Sequence, residues 1–127
     1  MTEDRLSVDI GGGLRLRNPV MPASGCFGPE LAGIIDLNGL GALVPKTIFF
    51  NPRSGNPAPR IAETPAGMLN SIGIPGKGIE HYVSLILPQY TAFEDVPTIV
   101  SIGGLAVHEY LELADRLDGE KGIAGLE

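Results

Sequence analysis

Thr98-Ile99-Val100-Ser101-Ile102 leads through Gly103-Gly104 into the segment Val107 to Leu117, and then into Ile123-Ala124-Gly125-Leu126. The first and last runs are short, nearly all apolar and bounded by Gly or Pro, which is how buried strands read. Between them, Tyr110, Leu111, Ala114 and Leu117 recur at helical spacing and predict an inward face. Strand, helix, strand with no polar alternation in the strands points to a parallel sheet covered by helices.

Working toward the N-terminus, the same alternation continues. Gly78 to Leu87 predicts a helix with Ile79, Val83 and Ile86 on one face. Ala42-Leu43-Val44 predicts a buried strand, Pro29 to Leu37 a helix with Leu31, Ile34 and Ile35 inward, and Val20-Met21-Pro22-Ala23 a short apolar strand. Ser7-Val8-Asp9-Ile10 and Leu14-Arg15-Leu16-Arg17 alternate polar with apolar residues around Gly11-Gly12-Gly13. They predict a hairpin with one wet face. Thr47 to Lys77, rich in Pro, Gly and Asn, is a connection of a length that is normally functional.

The 127 residues carry 9 basic and 15 acidic side chains, a net charge of −6, with 43% hydrophobic residues and one Cys. That fits one partial domain, 1–127, with a single core. It excludes a disulfide framework and argues against a nucleic-acid surface. No apolar run reaches the roughly 20 residues of a membrane span. Met1-Thr2-Glu3-Asp4 is the reverse of a signal sequence, so the reading is cytoplasmic. The chain stops on its last strand, and a whole barrel takes roughly 200 residues or more. The expected architecture is α/β, the N-terminal half of a (β/α)8 TIM barrel preceded by a β-hairpin.

In such a barrel, chemistry gathers at the C-terminal ends of the strands. Those ends carry Ser24-Gly25-Cys26, Lys46-Thr47 and Ser101. A Lys closing an apolar strand is partly desolvated and suits an anionic ligand, or it snorkels to the surface. Gly67-Met68-Leu69-Asn70-Ser71-Ile72-Gly73 places one amide and one hydroxyl between glycines. Its Asn either meets a planar polar ligand or braces the loop.

Three stretches carry a resemblance: Asn18-Pro19-Val20-Met21-Pro22-Ala23-Ser24-Gly25-Cys26-Phe27-Gly28, Gly55-Asn56-Pro57-Ala58-Pro59-Arg60, and Glu63-Thr64-Pro65-Ala66-Gly67-Met68-Leu69-Asn70-Ser71-Ile72-Gly73. The sequence from Leu6 to Glu127 resembles class 1 dihydroorotate dehydrogenase, and within it the catalytic subunit of the NAD-dependent, two-subunit branch. The resemblance implies an FMN-containing (β/α)8 barrel that oxidises (S)-dihydroorotate to orotate in pyrimidine synthesis. It implies flavin contacts from Ser24, Lys46, Thr47 and Ser101. Substrate contacts would come from Lys46, Asn70, Ser71, Ile72, Gly73 and Ile74. Ser101 falls where the NAD-dependent branch usually has Asn and the fumarate-using branch has Ser. The implied assembly is a homodimer joined by a subunit carrying FAD and an iron–sulfur cluster.

The family's next motif, Asn-x-Ser-Cys-Pro-Asn, supplies the Cys general base. The chain ends at Gly125-Leu126-Glu127, before it, so no catalytic base is expected within residues 1–127. Cys26 belongs to the first loop and reads as a small buried Cys. Gly11-Gly12-Gly13 and Gly76-Lys77-Gly78 lack the rest of any nucleotide-binding pattern. Gly103-Gly104 reads as a close backbone approach. His81 and His108 stand near helix starts without a third ligand, so no metal is expected. The acidic residues from Glu109 to Glu120 read as a solvated helix face. Two other readings stand beside the dehydrogenase: a related flavin barrel acting on dihydropyrimidines, and an inactive truncated product.

Overall fold

In a computed structural model, which describes residues 5–127, the chain begins with the expected hairpin. Strands β1 (Val8–Asp9) and β2 (Arg15–Leu16) pair antiparallel, Val8 opposite Leu16. Gly11, Gly12 and Gly13 all take positive φ in the turn, a conformation open to glycine at no steric cost. The acidic start Met1–Asp4 lies outside the described residues.

Two expected elements do not form. Val20–Ala23 is extended but no strand; the Val20 carbonyl accepts from the Gly41 N–H, while Pro19 and Pro22 have no N–H to give. Pro29–Leu37 is not one helix. A 3-10 turn covers Pro29–Leu31, and a second covers Leu37–Gly39, capped by the Asp36 carboxylate on the Asn38 N–H. Ile34 is 81% exposed and only Leu37 is buried, so no apolar face holds a helix together.

The long connection is more ordered than its composition suggests. It folds into a second antiparallel hairpin, β3 (Ile61–Thr64) and β4 (Gly67–Asn70), closed by Pro65-Ala66 and exposed along its whole length. A helical run follows: α1 (Ile79–His81), a π turn over Tyr82–Ile86, and α2 (Leu87–Thr91). The π turn has a cause. Pro88 lacks an N–H and its ring crowds the carbonyl four residues back, so the Leu87 N–H reaches five residues back to Tyr82.

Strand β5 (Thr98–Val100), helix α3 (Val107–Leu117) and β6 (Ile123–Leu126) form the expected unit, with β5 and β6 parallel. On the other side of β5, Leu43 bridges Thr98 and Ile48 bridges Ile102, both parallel. Ala42–Val44 is therefore buried and aligned as a strand would be, though it pairs only at single bridges. The local order is segment 42–48, β5, β6: mixed α/β with sequential parallel neighbours.

Both faces of β5 are covered. Val100 packs against Ile79, Tyr82, Leu87, Leu113 and Leu117 on the helix side. Ile99 packs with Ala42, Val44 and Leu16, so the N-terminal hairpin closes the opposite face. The α3 stripe centres on Leu113 and Leu117: Leu117 is buried and Ala114 half-buried as predicted, Leu113 joins them, and Leu111 and Tyr110 do not. Leu111 is 61% exposed and Tyr110 faces outward as well, because Leu111 lies about 200° around the helix from Leu113. Ala106 has no side-chain acceptor, and the Glu109 carboxylate caps the start of α3 from within by accepting the Leu105 and Ala106 N–H groups.

Arg116 on α3 grips Glu80 on α1 through two hydrogen bonds, at 2.7 and 2.9 Å, and also pairs with Glu120. The hydrogen bonds from Arg116 hold the Glu80 carboxyl below its usual pKa. A depressed folded-state pKa adds stability above the unfolded value, and that stability is lost as pH falls through the folded one. Thermal midpoints of the parent and Glu80→Gln should therefore differ near neutral pH and converge in acid. Parallel curves across that range would deny Glu80 any such role.

Candidate functional site

Segment 42–48 and β5 end side by side, and their ends bring two hydroxyls together: Thr47 Oγ1 and Ser101 Oγ are 2.8 Å apart. Ser101 is only 5% exposed. Directly after it, Gly103 sits where a Cβ would lie 2.9 Å from Phe49 Cζ and 3.0 Å from Thr47 Cγ2. A side chain there would have to displace those neighbours. A cavity of about 520 Å³ opens beside these residues, lined also by Arg53, Ile74, Leu105 and Tyr110. Its size is that of small-molecule sites.

Lys46 lies next to this pair but is exposed rather than desolvated. Its ammonium donates to the Pro75 carbonyl at 2.8 Å. Its stem backs onto the first loop: a Cβ on Gly25, whose φ is +73°, would stand 3.0 Å from Lys46 Cβ. The Gly25 N–H also binds the Val44 carbonyl, so half-buried Ser24 is carried up to the end of segment 42–48. Cys26 in the same loop is exposed, contrary to expectation, its N–H bonded to the Ala23 carbonyl in a turn.

Asn70 ends β4 and is exposed, while Ser71 through Pro75 follow in a row held by side-chain bonds, of which Ile74 lines the cavity. Asn56 Nδ2 donates to the Ser71 carbonyl at 3.0 Å and to Ser71 Oγ at 2.9 Å. The Asn56 N–H binds the Ile72 carbonyl. Arg53 Nη2 donates to the Gly73 carbonyl at 3.2 Å while the guanidinium stacks on Phe49, 4.4 Å from the ring centroid. Arg53 Nε is buried and has no protein partner. Ile74 holds φ of +47°, a left-handed conformation that strains a β-branched residue.

A second cavity of about 280 Å³ lies between residues 45–49 and the helical run, walled by Ile48, Phe49, Tyr82, Ile86 and Tyr90 with Lys46, Lys77 and His81 around it. Burial pushes the Tyr82 and Tyr90 phenols above their ordinary range, so both stay protonated. The larger cavity is the better candidate, because it joins the part-buried Thr47–Ser101 hydroxyl pair to Arg53 and the strained Ile74.

Residues 5–126 match the family described as dihydroorotate dehydrogenase. The chain belongs to that family. It is 57% identical over 117 residues, 91% of its length, to the dihydroorotate dehydrogenase B (NAD(+)) catalytic subunit of Desulforudis audaxviator. Over its whole length it is 45% identical to the same subunit of Geobacter sp. strain M21, and over 98% it is 44% identical to that of Listeria welshimeri. The chain spans 38%, 42% and 41% of the length of those relatives.

Of the residues singled out by family resemblance, Thr47 and Ser101 touch, and Ile74 joins them at the cavity. Lys46 is linked instead to the far end of the Ser71–Pro75 row, and Ser24 reaches it through Gly25. Asn70 makes no side-chain bond that ties it to this group. Arg53 and Asn56 were not singled out. Their signal lay in Gly55-Asn56-Pro57, which served only as a family marker, and in the spacing from Arg53 to Gly73 across a hairpin.

Proposed function

We infer that the chain is the N-terminal part of a dihydroorotate dehydrogenase catalytic subunit of the NAD-dependent kind, one partial domain of a (β/α)8 barrel. The observation that carries this is the Thr47–Ser101 pair beside the held Ser71–Pro75 row, at neighbouring strand ends, in a chain of that family. The full protein would bind FMN, oxidise (S)-dihydroorotate to orotate and pass electrons to a second subunit bearing FAD and an iron–sulfur cluster, with NAD as final acceptor. The names of the relatives support the NAD-dependent branch over the fumarate-using one. Among the described residues no helix is long and apolar enough to cross a membrane.

The residues present fit a flavin. A planar heteroaromatic ring needs donors and acceptors at its edge, an approach free of side chains, and apolar walls. Thr47 and Ser101 offer the first, the glycine backbone at Gly103 and Gly104 lines the cavity, and Phe49, Leu105 and Tyr110 give the apolar walls. When bound, FMN supplies the acceptor for the two electrons and the hydrogen that leave dihydroorotate. Ser24, Lys46, Thr47 and Ser101 would hold it. Asn70 would donate and accept toward the substrate ring through its amide, and Ser71 to Ile74 would orient that ring. The Lys46 ammonium would stabilise negative charge that develops during transfer. None of the described residues is assigned the role of proton-removing base.

Two preparations test the reading. Residues 1–127 alone should not turn over dihydroorotate with any acceptor, since the base is missing and β6 presents an open edge. The full-length protein should purify with about one FMN and form orotate. Turnover by the isolated chain, or a folded full-length protein without flavin, contradicts the assignment.

A further inference from the structure

The Ser71–Pro75 row has no strand partner, yet its carbonyls are held at every second residue by a side chain: Asn56 at Ser71, Arg53 at Gly73, Lys46 at Pro75. Asn56 alone grips both side chain and backbone. Its amide reaches the Ser71 carbonyl and hydroxyl, and its own N–H takes the Ile72 carbonyl. It also fits against Gly73, where φ is +81° and a Cβ would stand 2.7 Å from Asn56 N. Gly55 lets it come this close, since a Cβ there would lie 2.4 Å from the Ile72 carbonyl oxygen. Immediately beyond, Ile74 is strained and lines the large cavity. Strain of that kind persists only where the surroundings over-determine the backbone.

We propose that Asn56 is the positioning residue of this site. It fixes the Ser71 hydroxyl and the Ser71–Gly73 backbone before any ligand arrives, and so sets affinity for a planar carboxylate-bearing pyrimidine without touching it. This rests on the proposed function, which assigns Ser71 to Ile74 to the substrate. Because Asn56 is the donor to both Ser71 oxygens, it fixes the direction in which the hydroxyl can donate. The Ser71 proton is left free for a ligand acceptor. A preorganised hydroxyl binds more tightly than one that must be ordered on binding.

Orotate is the probe, titrated into the full-length flavoprotein and its variants by calorimetry, with flavin content and thermal midpoint measured in parallel. Asn56→Ala should weaken orotate roughly tenfold, keep its flavin and raise KM for dihydroorotate more than it lowers kcat. Ser71→Ala should weaken binding too, and the double variant should be no weaker than about the worse single one, because Asn56 acts through the Ser71 hydroxyl that Ser71→Ala removes. Orotate affinity within twofold of the parent overturns the proposal, as does a lowered midpoint with unchanged affinity. If Asn56→Ala does not fold, Asn56→Ser, which keeps a small polar side chain but cannot reach both Ser71 oxygens, decides by the same two criteria. A parent protein that binds flavin but not orotate removes the functional reading itself, a result visible without any variant.

Discussion

Lys46→Ala in the full-length protein should slow flavin reduction by dihydroorotate about a hundredfold, on the order of 3 kcal/mol in the barrier. The effect is differential. A fixed ammonium meets little opposing charge before transfer and a full negative charge after it, so its removal raises the barrier more than it weakens the resting complex. Two features make Lys46 fixed. Gly25 packs against its stem, and the Pro75 carbonyl takes its ammonium at 2.8 Å. That second contact adds a consequence, since Pro75 closes the Ser71–Pro75 row and loss of the ammonium frees one end of it. Part of the loss should therefore appear as a higher KM. Stopped-flow bleaching with a parallel melting curve separates chemistry from folding. Reduction at the parent rate would take Lys46 out of the site.

Leu113→Ala should be the most destabilising single truncation on α3, by about 2–5 kcal/mol. Leu113 is fully buried and packs with Ile79, Tyr82, Leu87, Val100 and Leu117, so its loss opens a void where α3 meets β5 and the helical run. Leu111→Ala, two positions away on the exposed face, should stay within about 0.5 kcal/mol. Thermal midpoints of the two variants in the full-length protein test the orientation of α3. Equal shifts would mean that the helix is turned from the face described above.

Which parts of this fold could be read from the residues follows from how local each signal is. Glycines between alternating runs specify the first hairpin. The apolar runs of β5 and β6 and the period of α3 are likewise local, and they appear where the pattern puts them. Pro29–Leu37 shows the limit: Leu31, Ile34 and Ile35 keep helical spacing, but none of them is buried, and spacing without burial does not hold a helix. The π turn before Pro88 and the β3–β4 hairpin depend on backbone details that apolar periodicity does not encode. The same division runs through the site. Lys46, Thr47 and Ser101 could be picked as strand ends, whereas the 2.8 Å contact of Thr47 with Ser101 joins segments far apart in the chain. Asn56 was hidden for a similar reason, since its partners lie across the hairpin.

Gly103 and Gly25 carry a related lesson. Gly103 reads as a close backbone approach and Gly25 only as part of a loop motif; in the fold, Gly103 packs beside Phe49 and Thr47, and Gly25 lets the first loop rest on Lys46. In each case the requirement comes from a neighbour distant in sequence rather than from the turn itself.

The most direct measurement is anaerobic titration of the full-length flavoprotein with (S)-dihydroorotate, following flavin absorbance and orotate together. The account predicts bleaching with one orotate formed per flavin reduced, and no bleaching by dihydrouracil, which lacks the carboxylate. Flavin that stays oxidised with dihydroorotate, or that is reduced by dihydrouracil instead, would contradict it.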